Sequence, residues 1–251
     1  MSLLEEQTAA ATAVVSVRRE HGRLRTRLRT GLLRPQLLHG PPDRCRVGLL
    51  GTTALLLGGD AVRLEVDVGP GVTLELTDIA GTVAYDGRGR GASWSVHASV
   101  ADGGRLRWAG EPFVVADGAD VTRDLSLEVA DGAQALVRET VVLGRSGQVG
   151  GRLLNRTTVR SGGRPVLVED TLLDPATHRR LPGMLGDLRV IDTLLAVGLD
   201  PPSGPVDGST LYRLAGPGAT LRRHLGTELA ASPLHQVWRH ALLSADGKLP
   251  R

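Results

Sequence analysis

Leu49–Asp86 reads LLGTTALLLGGDAVRLEVDVGPGVTLELTDIAGTVAYD, and the fold turns on how it is read. An apolar run, Ala54 to Leu57, is followed by Gly58-Gly59-Asp60; Val62, Leu64, Val66 and Val68 then alternate with Arg63, Glu65 and Asp67. A period of two sends one row of side chains into a core and the other into water, which defines a half-buried strand and not a helix. Gly69-Pro70-Gly71 breaks the run, and Val72, Leu74 and Leu76 carry a second alternation. The pair predicts a hairpin, entered from a buried strand at 54–57 through two glycines and an acid.

The pattern recurs further along. SVADGGRLRW (99–108), EVADGAQALV (128–137) and TVRSGGRPVLV (158–168) each place a Gly turn between alternating runs, and the turns lie roughly 30 residues apart. A lone hairpin leaves an apolar face uncovered, so neighbours must stack to bury it. The repeat is degenerate and predicts a meandering pair of sheets rather than a true solenoid. Upstream, Ala13–Val17 and Leu24–Leu28 flank Glu20-His21-Gly22, a hairpin on which Arg23, Arg25, Arg27 and Arg29 share one face. That face is either plain solvated surface or a docking surface for an acidic partner. Downstream, Leu185–Leu199 reads as a buried strand, and residues 212–214 and 219–221 flank a Gly-Pro-Gly turn. Behind Ser232-Pro233, residues Leu234, Val237, Trp238, Ala241 and Leu242 fall at helical spacing, with a Ser cap and a Pro in the first turn.

The expected fold is therefore all-β: stacked antiparallel or mixed sheets, as a sandwich or a short β-helix-like stack, with one or two helices, the main one near the C-terminus. The 251 residues are expected to form a single domain, with 1–12 and 246–251 flexible. Three Trp, two Tyr and one Phe are the only aromatics, so Leu, Val and Ala must build the core. Cys45 is the only cysteine, which excludes an intrachain disulfide and a cysteine-rich metal site and fits a reducing, cytoplasmic setting. The first residues carry acids and no basic stretch, unlike a signal peptide, and no apolar run approaches the roughly 20 residues of a membrane helix. The basic charge is almost all arginine, Lys248 being the only lysine, and the net charge is only +3, which argues against nucleic acid.

Catalytic motifs are missing. The seven histidines form no HxH, HxxxH or HExxH spacing, there is no GxSxG elbow, and Gly87-Arg88-Gly89-Arg90-Gly91 lacks the GK[ST] ending of a phosphate loop. What remains are acids beside strands: Asp60, Glu111, Glu139, Glu169 and Asp170. A carboxylate with apolar neighbours is costly to bury unless it is paired, protonated or on a metal. Glu139, beside Arg138, and Glu169, after Leu167-Val168, can both line an interior that is not dry.

Gly58-Gly59-Asp60 with its alternating strands, the Gly69-Pro70-Gly71 turn, Thr77 and Val83–Tyr85 resemble the UreD/UreH family of urease accessory proteins. Gly110-Glu111-Pro112, Arg138-Glu139, Leu143-Gly144-Arg145 with Gly147 and Gly150, and Gly186 through Leu194–Gly198 resemble its actinobacterial branch. The match covers roughly residues 20 to 245. The resemblance implies a cytosolic scaffold that binds urease apoprotein and recruits UreF and UreG for nickel insertion, with GTP hydrolysis left to UreG. It further implies no tightly bound cofactor, nickel in transit through a water-filled passage, and Asp60 and Glu139 as residues lining that passage, to which the placement of Glu169 after Leu167-Val168 adds a third candidate. A few loosely arranged oxygen donors hold such a cation weakly enough to release it. The chain departs from the family pattern at Val83-Ala84, where a basic residue usually precedes the Tyr85 motif, and at Gln148, where an acid often follows Leu143-Gly144-Arg145. Two other classes compete: a metal-dependent hydrolase using Asp60, Glu139 and a histidine, and a nucleic-acid module built on Arg23–Arg29, for which stacking aromatics are scarce.

Overall fold

The computed structural model describes residues 12–199, 204–216 and 218–245. Its strands form two sheets packed face to face. The first sheet holds β1 (Thr12–Glu20), β2 (Arg23–Arg29), β5 (Ala61–Val68), β8 (Ala92–Val100), β11 (Asp120–Val129), β13 (Arg152–Ser161) and β14 (Arg164–Leu173), in the order β14-β13-β11-β8-β5-β1-β2. The second runs β16-β17-β15-β12-β9-β6-β4-β3, from β3 (Leu33–Leu38), β4 (Arg44–Gly51), β6 (Thr73–Asp78), β9 (Arg105–Ala109), β12 (Gln134–Leu143), β15 (Val190–Val197), β16 (Thr210–Arg213) and β17 (Thr220–Gly226). Short β7 (Thr82–Ala84) and β10 (Phe113–Val115) attach to the second sheet through β12.

The stacked-sheet expectation holds, but most of the expected hairpins are something else. β5 pairs with β1 and β8 in the first sheet, while β6 pairs with β4 and β9 in the second, so Gly69-Pro70-Gly71 crosses the sandwich instead of folding a strand back on its neighbour. The turns at 101–104 and 130–133 do the same, joining β8 to β9 and β11 to β12. Strands β1, β5, β8, β11 and β13 are consequently parallel, as are β4, β6, β9 and β12. The crossings stack on one another: Ala101 N donates to Val68 O (2.9 Å), Ala130 N to Val100 O (2.9 Å) and Gly162 N to Val129 O (2.9 Å). The spacing of roughly 30 residues is thus one coil of a solenoid-like stack. A hairpin and a sheet-to-sheet arch leave the same trace in sequence, because each joins two alternating runs through a Gly turn. Of the four recurring turns only 158–168 is a hairpin, joining antiparallel β13 and β14. The β1–β2 and β16–β17 hairpins form as expected.

Residues 54–57 are not a strand. Leu55 and Leu56 are buried, yet they lie in an irregular connection in which Leu56 takes φ +59°. The two glycines after them are required by close approach: a Cβ on Gly58 would sit 2.5 Å from Gly87 O, and Gly59, at φ +95°, would drive one into the Arg90 guanidinium. The strand expected over 185–199 starts only at Val190. Thr12 is buried as the first residue of β1; residues 1–11 and 246–251, also expected to be flexible, lie outside the described residues.

Inward rows of Val, Leu and Ala fill the space between the sheets, with Trp94, Trp108 and Phe113 among them, and Trp94 meets Phe113 edge-on at 5.9 Å. Two α-helices occur among the described residues, α1 (Pro175–His178) and α2 (Leu234–Ala245). In α2 the expected stripe of Leu234, Val237, Trp238 and Ala241 is buried on Leu136, Leu194 and Ala196, the outer face of the second sheet. Ser232 Oγ accepts from Leu234 N at 3.2 Å, capping it.

Candidate functional site

Between β11, β13 and β14 on one side and β12, β15 and β17 on the other, the aliphatic interior gives way to a chamber of about 260 Å³. Its polar residues arise from single exceptions in otherwise apolar rows. On β11, Arg123 takes an inward position in phase with Val121, Leu125 and Leu127; on β12, Glu139 does so in phase with Val137 and Val141; on β17, Arg223 sits between Leu221 and Leu225. Strand register then gathers them into ladders. Glu139, Thr193 and Arg223 lie side by side across the second sheet, and Arg123, Asn155 and Thr171 across the first, next to the Thr157–Glu169 pair.

The charges pair across the gap. Arg123 holds Glu139 through Nη2, donates from Nη1 to Asn155 Oδ1 at 3.3 Å, and lies over the Phe113 ring at 5.3 Å. Its Nε, also buried, has no hydrogen-bond partner among the described residues. Arg223 grips Glu169 with two bonds of 2.8 and 2.7 Å, and its Nε reaches Thr193 Oγ1 at 3.3 Å. The Arg223 guanidinium keeps the Glu169 carboxyl below its ordinary value, and Glu169 raises Arg223 in turn. Two arginines against two glutamates leave the chamber charge-balanced. Its lining contains no Ser, Cys or His, so it offers neither a Ser or Cys nucleophile nor an imidazole base.

The acids expected to share one passage are placed unequally. Glu139 and Glu169 face the same chamber. Asp60 is outside its lining; half-buried, it accepts from Leu57 N at 3.0 Å and closes the turn that enters β5. Glu111 and Asp170 are exposed, Asp170 standing 3.8 Å from Arg156. Arg138, next to Glu139 in sequence, points to the opposite face and binds Asp192 with bonds of 3.1 and 2.7 Å, because successive strand residues alternate. Gln148 folds its own loop, Oε1 accepting from Arg145 N at 3.0 Å and Asp117 N at 3.4 Å. Among the described residues no three His, Cys, Asp or Glu side chains are grouped to hold a metal ion.

Sequence reading missed Arg123, Asn155, Thr193 and Arg223. The available signal was phase, a charged residue where the alternation calls for Val or Leu. It also missed Asp78, at the end of β6. Trp108 Nε1 and Glu111 N donate to its two carboxyl oxygens at 3.2 and 3.1 Å, and burial pushes it up to about 6. Arg123 acts on it in the opposite sense.

The fold and site define a solenoid-like β-sandwich with a charge-balanced internal chamber. A family model described as UreD urease accessory protein matches residues 7–248, and the chain belongs to that family. Among its relatives, Urease accessory protein UreD 1 of Streptomyces griseus subsp. griseus is 47% identical over 212 residues, covering 82% of each chain. Urease accessory protein UreD of Frankia alni is 37% identical over 219 residues, covering 74% of each. The protein of that name from Marinobacter nauticus is 31% identical over 271 residues, covering 98% of this chain and 87% of its own length. No helix among the described residues is long and apolar enough to cross a membrane.

Proposed function

We propose that this chain is a non-catalytic factor in urease assembly, working in the cytoplasm, which binds urease apoprotein, recruits UreF and UreG, and gives nickel a route towards the urease active site. The observation that carries this reading is the chamber: Glu139 and Glu169 project from opposite sheets into one charge-balanced space, within a chain whose relatives are named as urease accessory proteins. Oxygen donors already engaged by guanidinium groups hold a dication only in passing, as cargo requires. Asp60, outside the chamber, is assigned to a separate point on the route.

The test is genetic and analytical. In cells expressing a urease operon under limiting nickel, deleting this gene is expected to leave urease synthesised but nickel-poor, and restoring the gene to restore loading. UreF and UreG should co-purify with the restored protein. Fully nickel-loaded urease in the deletion strain rules the reading out.

A further inference from the structure

The arginine face of β2 takes no part in the chamber, and its placement gives it a second meaning. β2 is the last strand of the first sheet; among the described residues no strand pairs with its outer edge. In an antiparallel pair half of the amides and carbonyls of such a strand point away from its neighbour and stand ready for another strand. Arg23, Arg25 and Arg27 lie on one face of this edge, opposite Glu20, Arg18 and Ser16 of β1. All three are exposed, and their side chains make no hydrogen bond or ion pair among the described residues, whereas Arg18 is held by Asp67 at 2.7 Å and Arg29 by Thr12 O at 3.0 Å. Meanwhile Leu24 and Leu28, on the opposite face, pack against the core and fix which way the arginines point.

We infer that the outer edge of β2 docks an extended acidic segment of a partner protein, which adds as an eighth strand with carboxylates at alternate positions facing Arg23, Arg25 and Arg27. Same-face residues of a strand recur every 6.7 Å or so, on the arginine strand and on an added strand alike, so three charge pairs form in register without distorting either backbone. One charge is enough to keep stray strands off an edge. Three arginines in a row, none in an ion pair among the described residues although Arg23 stands opposite Glu20, do more: they repel a neutral or basic strand and select an acidic one. The unpaired amides favour a peptide over a nucleic acid, whose phosphates would use the arginines and leave the edge unsatisfied.

The probe is a short labelled peptide alternating Glu with Thr, titrated into the purified full chain at low salt and followed by fluorescence anisotropy. A peptide of identical composition with its Glu residues in one block is the control. The alternating peptide should bind about tenfold more tightly than the block peptide, the sum of three modest exposed charge pairs, and weaken as salt is raised. Replacing Arg23, Arg25 and Arg27 together by Ser should remove that preference while circular dichroism stays unchanged. N-methylating the edge-facing amides of the alternating peptide, which leaves the protein untouched, should have the same effect. Equal affinity for the two peptides, indifference to N-methylation, or tighter binding of single-stranded DNA of equal charge would overturn the inference. None of these outcomes bears on the chamber or on nickel.

Discussion

Adjacent residues of β12 serve two opposite kinds of buried charge. Arg138 faces outward beneath α2, where Asp192 is 0% exposed and accepts four bonds: two from Arg138, one from Thr140 Oγ1 (3.0 Å) and one from Ser232 Oγ (2.5 Å). Glu139 faces inward, where the arginine it meets keeps an Nε with no partner among the described residues and open space lies alongside. The first arrangement is closed: each carboxylate oxygen is used twice, Asp192 is sealed from solvent, and the Ser that caps α2 is tied into it. The second is open, with donors left over and a volume beside them. A buried charge that is fully satisfied specifies structure, whereas one with spare donors and space has capacity left for something that arrives.

The largest expected effect tests the closed side. Asp192→Ala leaves the largely covered Arg138 guanidinium without its fully buried partner, which costs about 3–5 kcal/mol. Urea denaturation should show that loss, with α2 losing its anchor at Ser232. A loss under about 1 kcal/mol would mean that the site beneath α2 is no more rigid than exposed surface, and the contrast with the chamber would fail.

Much of this architecture is legible in the sequence, and the part that is not has a definite cause. Alternation identifies β5, β8, β11 and β12 and the side each presents to the core, since burial imposes a period of two whatever the pairing. The spacing of Leu234, Val237, Trp238 and Ala241 identifies α2 for the equivalent reason at a period of 3.6. Pairing partners are not legible: Gly69-Pro70-Gly71 supports a hairpin or an arch equally, and only contacts with β8 and β9, tens of residues away, decide. The chamber is half legible. Glu139 and Glu169 stand out as acids among apolar neighbours, but the arginine that matters to Glu139 is Arg123, distant in sequence, and not Arg138 beside it.

Asp78 sharpens the comparison, because both its oxygens are hydrogen-bonded, as in the closed site, but no guanidinium bonds to it among the described residues. Burial raises it to about 6, above the roughly 3.9 of an unfolded Asp. At Asp78 the folded state therefore binds more protons than the unfolded state between those values, and the stability this group contributes falls as pH rises from about 4 to 6. The change attributable to Asp78 should be about 2–3 kcal/mol, at 1.36 kcal/mol per unit. Comparing urea midpoints at the two ends of this window, in the protein and in Asp78→Asn, isolates it: the substituted carboxamide cannot titrate, so this component should vanish. An unchanged pH dependence in the variant would assign the slope to other groups.

The smallest effect on stability, and the one that bears most on function, is expected in the chamber. Glu139→Gln and Glu169→Gln are nearly isosteric, and each new amide oxygen can still accept from its arginine. The charge is lost, but open space beside the guanidinium lets water replace part of what it gave. Each variant should therefore lose only about 1–2 kcal/mol, between the values for exposed and fully buried pairs. Asp60→Asn should lose less still, since the Asn side-chain oxygen can take over the bond from Leu57 N. If the chamber carries nickel, all three variants should still pull down urease apoprotein while nickel per urease active site falls. Three measurements on the same preparations separate the possibilities: thermal unfolding, pull-down and metal content. Losses of 3–5 kcal/mol with failed pull-down would move Glu139 and Glu169 into the class of Asp192, as structural anchors, and the distinction between open and closed sites would collapse. Stable variants that assemble and still deliver a full complement of nickel would preserve that distinction while removing the acids from the route, leaving the spare donors of Arg123 to be explained by an anionic rather than a cationic visitor.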